Sequence, residues 1–362
     1  MAITTKERAQ GAIIGAFIGD ALALGCHWYY DLEEQYKDYG TWITDYTTPK
    51  KGRYHENQKA GDSSQAGFIL KLMINSILDN NGYDQEDFCK KIDEELFTKI
   101  DGIPTHGPGG YTSQSIREVY RQRVEQKLDW SEVGSQADTT EAIERTLALA
   151  VRYAYEPQKL AKSISHNTFL TQVDDIVGSM TVAYGAILAQ LIQGEKLDED
   201  ISNKLMKLVK TKQLPFHAVT SDNFQPPKPG SKDPSNIGLF ASPDALLSPS
   251  FIAKAAKDPQ IQIEPAWKVS LVYGMPCAIY HMLPACYYLA ARFNNDFESA
   301  ILHSLNGGGQ NQARSILTGA LVGAQVGIKN IPQRFIDGLN EKEELLALAQ
   351  KLSKQVGKSL ND

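Results

Sequence analysis

The sequence predicts an all-α protein, a compact single-domain helical bundle. Apolar residues recur at spacings of three and four over 5–24, 64–79, 85–100, 139–155, 171–193, 197–211, 267–293, 296–304, 312–328 and 341–357. That is the period of an amphipathic helix, and almost nowhere does the alternation of a strand replace it. Composition does not shift along the 362 residues, of which 42% are hydrophobic and 22% charged, so one core spanning 1–362 is expected.

The first helix carries GAIIGAFIGDALALG, with Gly11, Gly15 and Gly19 on one face; near the other end of the chain TGALVGAQVG places Gly319, Gly323 and Gly327 likewise. Glycine inside a helix costs about 1 kcal/mol against alanine, so its repeated use at one face predicts another backbone in close contact. The expectation is a pair of core helices, one from each end of the chain. In 171–193 a stripe of Val173, Ile176, Val177, Met180, Ala183, Ile187, Leu191 and Ile192 marks a third core helix.

Two stretches break the pattern. Residues 40–61 are polar, aromatic and basic. Residues 213–249 hold Pro215, Pro226, Pro227, Pro229, Pro234, Pro243 and Pro249 of the chain's 16 prolines, and proline removes a backbone donor, so this stretch reads as a loop inserted within the domain.

The net charge of −6 argues against a nucleic-acid partner, which calls for a basic face. Cys26, Cys89, Cys277 and Cys286 have no paired or metal-like spacing and read as reduced thiols in a cytoplasmic protein. No secretory leader is evident, and the apolar runs are read as too short to cross a membrane.

Two polar blocks carry the candidate chemistry. In AGDSSQAGF, Asp62, Ser63 and Ser64 stand where a polar loop enters a helix, suited either to capping or to ligating a hard cation. In NGGGQNQAR, three glycines precede Gln310, Asn311 and Gln312 at a helix start, where open N–H groups would suit an anion. His27, Trp28, Tyr29 and Tyr30 read as aromatic packing, His106 as a candidate pocket residue, and the pair Asp174 and Asp175 as a solvated helix face. Neither Cys26 nor Cys277 has a histidine motif that would make it a nucleophile.

AIIGAFIGDALALG, GDSSQ and GGGQNQARSILTGALVGA, in this order and over nearly the whole chain, resemble the signature blocks of the ADP-ribosylglycohydrolase family. HNTFLTQVDDIVGSMTVAYGAILAQLIQG and GIPTHGPGGYTSQS stand where that family has its middle helices. The resemblance implies an all-α domain that, in active members, holds two magnesium ions and cleaves the glycosidic bond from ADP-ribose to a protein side chain. Active members carry Thr-Asp-Asp-Thr at the first block, matched here by Gly61, Asp62, Ser63 and Ser64. Their second block, Gly-Gly-Asp-Thr-Asp-Thr, is matched by Gly308, Gly309, Gln310, Asn311, Gln312 and Ala313. One carboxylate remains, and neutral amides cannot offset two divalent ions. The expectations are no cofactor, no metal ligands, and a vestigial cleft in which Asp62 joins Gln310, Asn311 and Gln312 in a hydrogen-bonded network, with Arg314 nearby as a fixed positive charge.

NGGGQNQARS together with GCHWYYD further resembles the subgroup that includes the J-type crystallins of cnidarian eye lenses. This resemblance implies a structural lens protein with little or no hydrolase activity, able to self-associate or pack among crowded lens proteins, with weak binding of an ADP-ribose-like ligand at most. The alternative is a divergent glycohydrolase working without two magnesium ions, with Asp20 and Asp62 as its acid or base residues.

Overall fold

A computed structural model describes residues 2–217, 239–240 and 244–357. Among them lie sixteen α-helices and no strand, only isolated bridges. In chain order they are α1 (Thr5–Leu24), α2 (Leu32–Tyr39), α3 (Gln65–Asn80), α4 (Gln85–Lys91), α5 (Gln114–Tyr120), α6 (Glu141–Arg152), α7 (Pro157–Phe169) and α8 (Asp175–Ile192). There follow α9 (Ile201–Lys210), α10 (Asp244–Lys257), α11 (Val269–Tyr273), α12 (Ile279–Arg292), α13 (Phe297–Leu305), α14 (Asn311–Val326), α15 (Gln333–Asp337) and α16 (Lys342–Lys354). Their buried faces form one contiguous apolar core.

α1 starts at a capping box, in which Thr4 Oγ1 accepts from the Glu7 N–H and the Glu7 carboxylate accepts from the Thr4 N–H. It runs antiparallel to α14 through the centre. The glycines meet in register, Gly11 on Gly323 and Gly15 on Gly319, while Gly19 meets Ser315. Gly327 ends α14 at φ +73° beside Ile3 and still lies against α1, its carbonyl carbon 3.0 Å from where a Cβ on Gly11 would stand. α3, α6, α8, α12 and α16 pack around this pair.

The helical period located most elements but misplaced several. The expected helix 267–293 is two, α11 and α12, because Gly274 takes φ +120° and lies against the His281 ring, whereas Pro284 is accommodated inside α12. α2, α5, α7, α10 and α15 were not expected. α10 starts inside the stretch read as a loop and contains Pro249; the helix survives because Leu246, Pro249, Ala253 and Ala256 are buried, which offsets the lost backbone bond. Pro226, Pro227, Pro229, Pro234 and Pro243 lie outside the described residues. α8 is in fact long and apolar enough to cross a bilayer, contrary to expectation, but 83% of that helix is buried inside the fold, so its apolar surface is already taken up by neighbouring helices.

Candidate functional site

Where α1 ends and α14 begins, the starts of α3, α6 and α12 converge around a cavity of about 410 Å³. Its wall is built from His27 and Trp28 after α1, Ser64 and Gln65 at the head of α3, Tyr111, and Glu141, Glu144 and Arg145 in the first turns of α6. Asp138, Cys277, Tyr280, His281, Gln310 and Gln312 complete it.

The two signature blocks reach this cavity only in part. Ser64 caps α3, its Oγ accepting from the Ala66 N–H. The same residue donates both its N–H (2.9 Å) and its hydroxyl to the buried Asp20 carboxylate. Asp62 does not face the cavity. It accepts from the Lys59 N–H and from Asn340 Nδ2, both at 2.7 Å, on the outer side of the loop. Gly61 also faces that side, against the Gly338 carbonyl, and Ser63 is half-buried.

In the second block, Gly308 and Gly309 hold φ near +60°. Two N–H groups of their turn are engaged, Gly309 N–H donating to the Tyr29 carbonyl and Gln310 N–H to the Met275 carbonyl, ahead of the first turn of α14. Asn311 points into the core, donating to the carbonyls of Cys26 and Leu305, and Ala313 is buried. Arg314 is wholly buried beneath the glycines rather than in the cavity, donating to the carbonyls of Ser304 and Gly308; burial lowers its pKa to about 10. The expected network of Asp62 with the three amides is therefore not formed, because Asp62 and Asn311 point away from Gln310 and Gln312.

What Gln310 meets instead is His27. His27 Nε2 faces Gln310 Oε1, His27 Nδ1 lies 2.8 Å from His55 Nε2, and His55 Nδ1 lies 2.9 Å from the Gly109 carbonyl. Three links between two accepting ends need three imidazole protons, and two neutral rings have two. Burial pushes both histidines well down, His55 to about 4, so an imidazolium is disfavoured. A half-turn of the Gln310 amide resolves the count: its NH2 donates to His27, His27 to His55, and His55 to Gly109. Gln310→Glu removes that donor and places a carboxylate on the ring, so His27 should titrate higher than in the wild type. Histidine ring NMR over a pH titration of both proteins reads this, and a His27 that titrates no higher in the variant contradicts the contact.

The acids of the cavity come from a segment not singled out in the sequence. Glu141 accepts from the Thr139 hydroxyl and from Ser115 Oγ at 3.3 Å; Glu144 accepts from Thr140 Oγ1 at 2.7 Å. Burial raises both, and with Glu141 and Asp20 nearby Glu144 reaches about 8. Asp20 itself is raised to about 6 by burial, against the pull of Ser64. The signal was present in TEAIERTLALAV: Glu144 shares a helix face with Leu147, Ala148 and Val151, and a charge in a core stripe marks a site or a buried pair. His27 and Trp28, expected as packing, line the cavity, and Trp28 takes φ +63° there. His106 pairs with Asp101 on the exposed surface, away from this wall. Asp174 caps α8 through the Val177 N–H. Cys26 is buried, its thiol pushed up to about 12, whereas Cys277 stands half-buried in the cavity wall.

Two magnesium ions do not fit the residues of the aligned blocks. These offer amide and hydroxyl groups, and their one carboxylate, Asp62, is turned outward. No group of three or more His, Cys, Asp or Glu side chains placed to hold a metal occurs among the described residues.

The model of the ADP-ribosylglycohydrolase family matches residues 1–361. The chain belongs to that family. A solved structure described as an ADP-ribosylglycohydrolase-related protein complex shares the fold, with a TM-score of 0.62, 16% sequence identity, and coverage of 98% of this chain and 99% of that one. No curated protein matches the chain.

Proposed function

We propose that this chain is a family member that has given up two-magnesium chemistry and serves as a structural protein of the J-type crystallin kind. It would work in the cytoplasm at high concentration, self-associating or packed among other proteins, without nucleic-acid or membrane partners. The observation that carries the reading is the direction of the polar side chains at the two aligned blocks. Asp62 is held outward by Asn340, and Gln310 is held by His27, so neither block presents a carboxylate to the cavity. The net charge of −6 suits solubility under crowding.

Calorimetric titration with magnesium and then with ADP-ribose tests the loss of the metal chemistry. The expected result is no magnesium binding in the micromolar range and no turnover of ADP-ribosylated arginine or serine peptides. Magnesium-dependent turnover sinks the reading.

A second reading is favoured by Glu141 and Glu144. A protonated carboxyl beside another carboxyl on a cavity wall is the equipment of a metal-independent glycosidase, one group donating a proton to the leaving oxygen and the other activating water or attacking. In that case Glu144 takes the acid role, and Asp20, bound to Ser64 behind the wall, holds α1 to α3. Metal-free turnover abolished in Glu144→Gln distinguishes it.

A further inference from the structure

The cavity wall carries three carboxyl groups, Asp138, Glu141 and Glu144, against one guanidinium, Arg145. Arg145 is already engaged, donating to the Asn167 side chain (2.7 Å), the Asn167 carbonyl (2.9 Å) and Thr171 Oγ1 (2.8 Å). Some of the backbone N–H groups at the converging helix starts are engaged too. Ala66 N–H goes to Ser64, Ala142 N–H to Gln172 Oε1, and those of Gly309 and Gln310 to carbonyls. A diphosphate would thus meet three carboxyl groups and a guanidinium that is already engaged.

Three further atoms point to what the cavity would hold. Gln65 and Gln312 line it only 3% and 7% exposed, and Gln65 Oε1, Gln312 Nε2 and the Nε1 of Trp28 on the same wall have no hydrogen-bond partner. An unpaired buried polar atom costs about 1–3 kcal/mol, so each calls for a complementary group. One is an acceptor and two are donors, which a ligand carrying both an ammonium and hydroxyl groups can satisfy.

We infer that the cavity binds a small hydroxylated amine, an amino sugar or aminopolyol, in preference to a nucleoside diphosphate. This rests on the reading that the cavity works without magnesium. The ammonium sets its protons on Glu144 and Gln65 Oε1, and a hydroxyl oxygen accepts from Gln312 Nε2. Burial first, then the neighbouring acids, keep the proton on Glu144 against the pull of Thr140 and Arg145, and an ammonium beside it would favour the ionised carboxylate. A volume of about 410 Å³ lies within the usual range for small-ligand sites.

Calorimetry in magnesium-free buffer with glucosamine, glucose and ADP-ribose tests the inference. Glucosamine is expected to bind about tenfold more tightly than glucose, as a charge-assisted hydrogen bond warrants, and more tightly than ADP-ribose. Glu144→Gln erases the preference for the amine. Gln312→Met, which keeps the side chain's length, weakens both sugars roughly fivefold and leaves the preference intact; circular dichroism confirms that each variant folds. Equal binding of the two sugars, tighter ADP-ribose, or no sugar binding overturns the inference, and with a flat magnesium titration each leaves the metal-free reading standing. Magnesium binding overturns that reading whatever the sugars do.

Discussion

Gly323→Ala is expected to abolish folding, whereas Gly185→Ala in another core helix is tolerated. A Cβ added at Gly323 would stand 2.0 Å from the Gly11 carbonyl oxygen and 2.6 Å from its carbon; one at Gly319 would stand 2.1 Å from the Gly15 oxygen. Both obstacles are backbone, so relief requires α1 and α14 to separate along their whole contact, with the core around Phe17, Ile301 and Leu321 opening behind them. The cost should exceed the ~4 kcal/mol that marks exceptional core damage. At Gly185 the nearest atom, at 2.3 Å, is Ile164 Cδ1, the end of a side chain that has other rotamers, and alanine there gains about 1 kcal/mol of helix propensity. Soluble yield and thermal melting distinguish the two variants. A Gly323→Ala protein melting within a few degrees of the wild type would mean that the glycine register does not hold the two ends together.

That register could be read in advance because glycine spacing reports directly on how closely two backbones approach. The site could be read only in part. Sequence alignment places Asp62 in the first block, but its direction is set by Asn340, far along the chain, and nothing within GDSSQ encodes it. Gln310 was read as one of three equivalent amides; its partner His27 is brought to it by the antiparallel packing of α1 and α14, and the proton count depends on His55 and Gly109 as well. α7 shows the opposite case, a signal present but diluted. Leu160, Ala161, Ile164 and Thr168 have helical spacing behind Pro157 at the helix start, but the intervening Ser163, Ser165, His166 and Asn167 lower its apolar contrast. The break at Gly274 rather than at Pro284 follows from a backbone conformation forced by packing against His281, which periodicity does not register.

Glu144→Gln is expected to stabilise the protein at alkaline pH and to change it little near pH 4. In the unfolded chain this carboxyl releases its proton near the ordinary 4.5, whereas in the folded cavity burial first, then Glu141 and Asp20, hold the proton until about 8. Between these values the folded state binds more protons than the unfolded one, so stability is fully present below pH 4.5 and is lost as pH rises through 8. At pH 9 the ionised Glu144 should cost on the order of a few kcal/mol, a large share of a typical folding free energy. Glutamine carries no charge, and its side-chain oxygen still accepts from Thr140 Oγ1, so the variant avoids the cost while keeping the bond. It also removes a like-charged neighbour from Glu141, whose own carboxyl is raised by burial. Denaturant midpoints from pH 4 to pH 9 should therefore fall more steeply for the wild type than for the variant, converging at the acid end. Parallel curves would show that Glu144 finds its counter-charge within the fold, and would remove both the acid role of the second reading and the reason for an ammonium ligand.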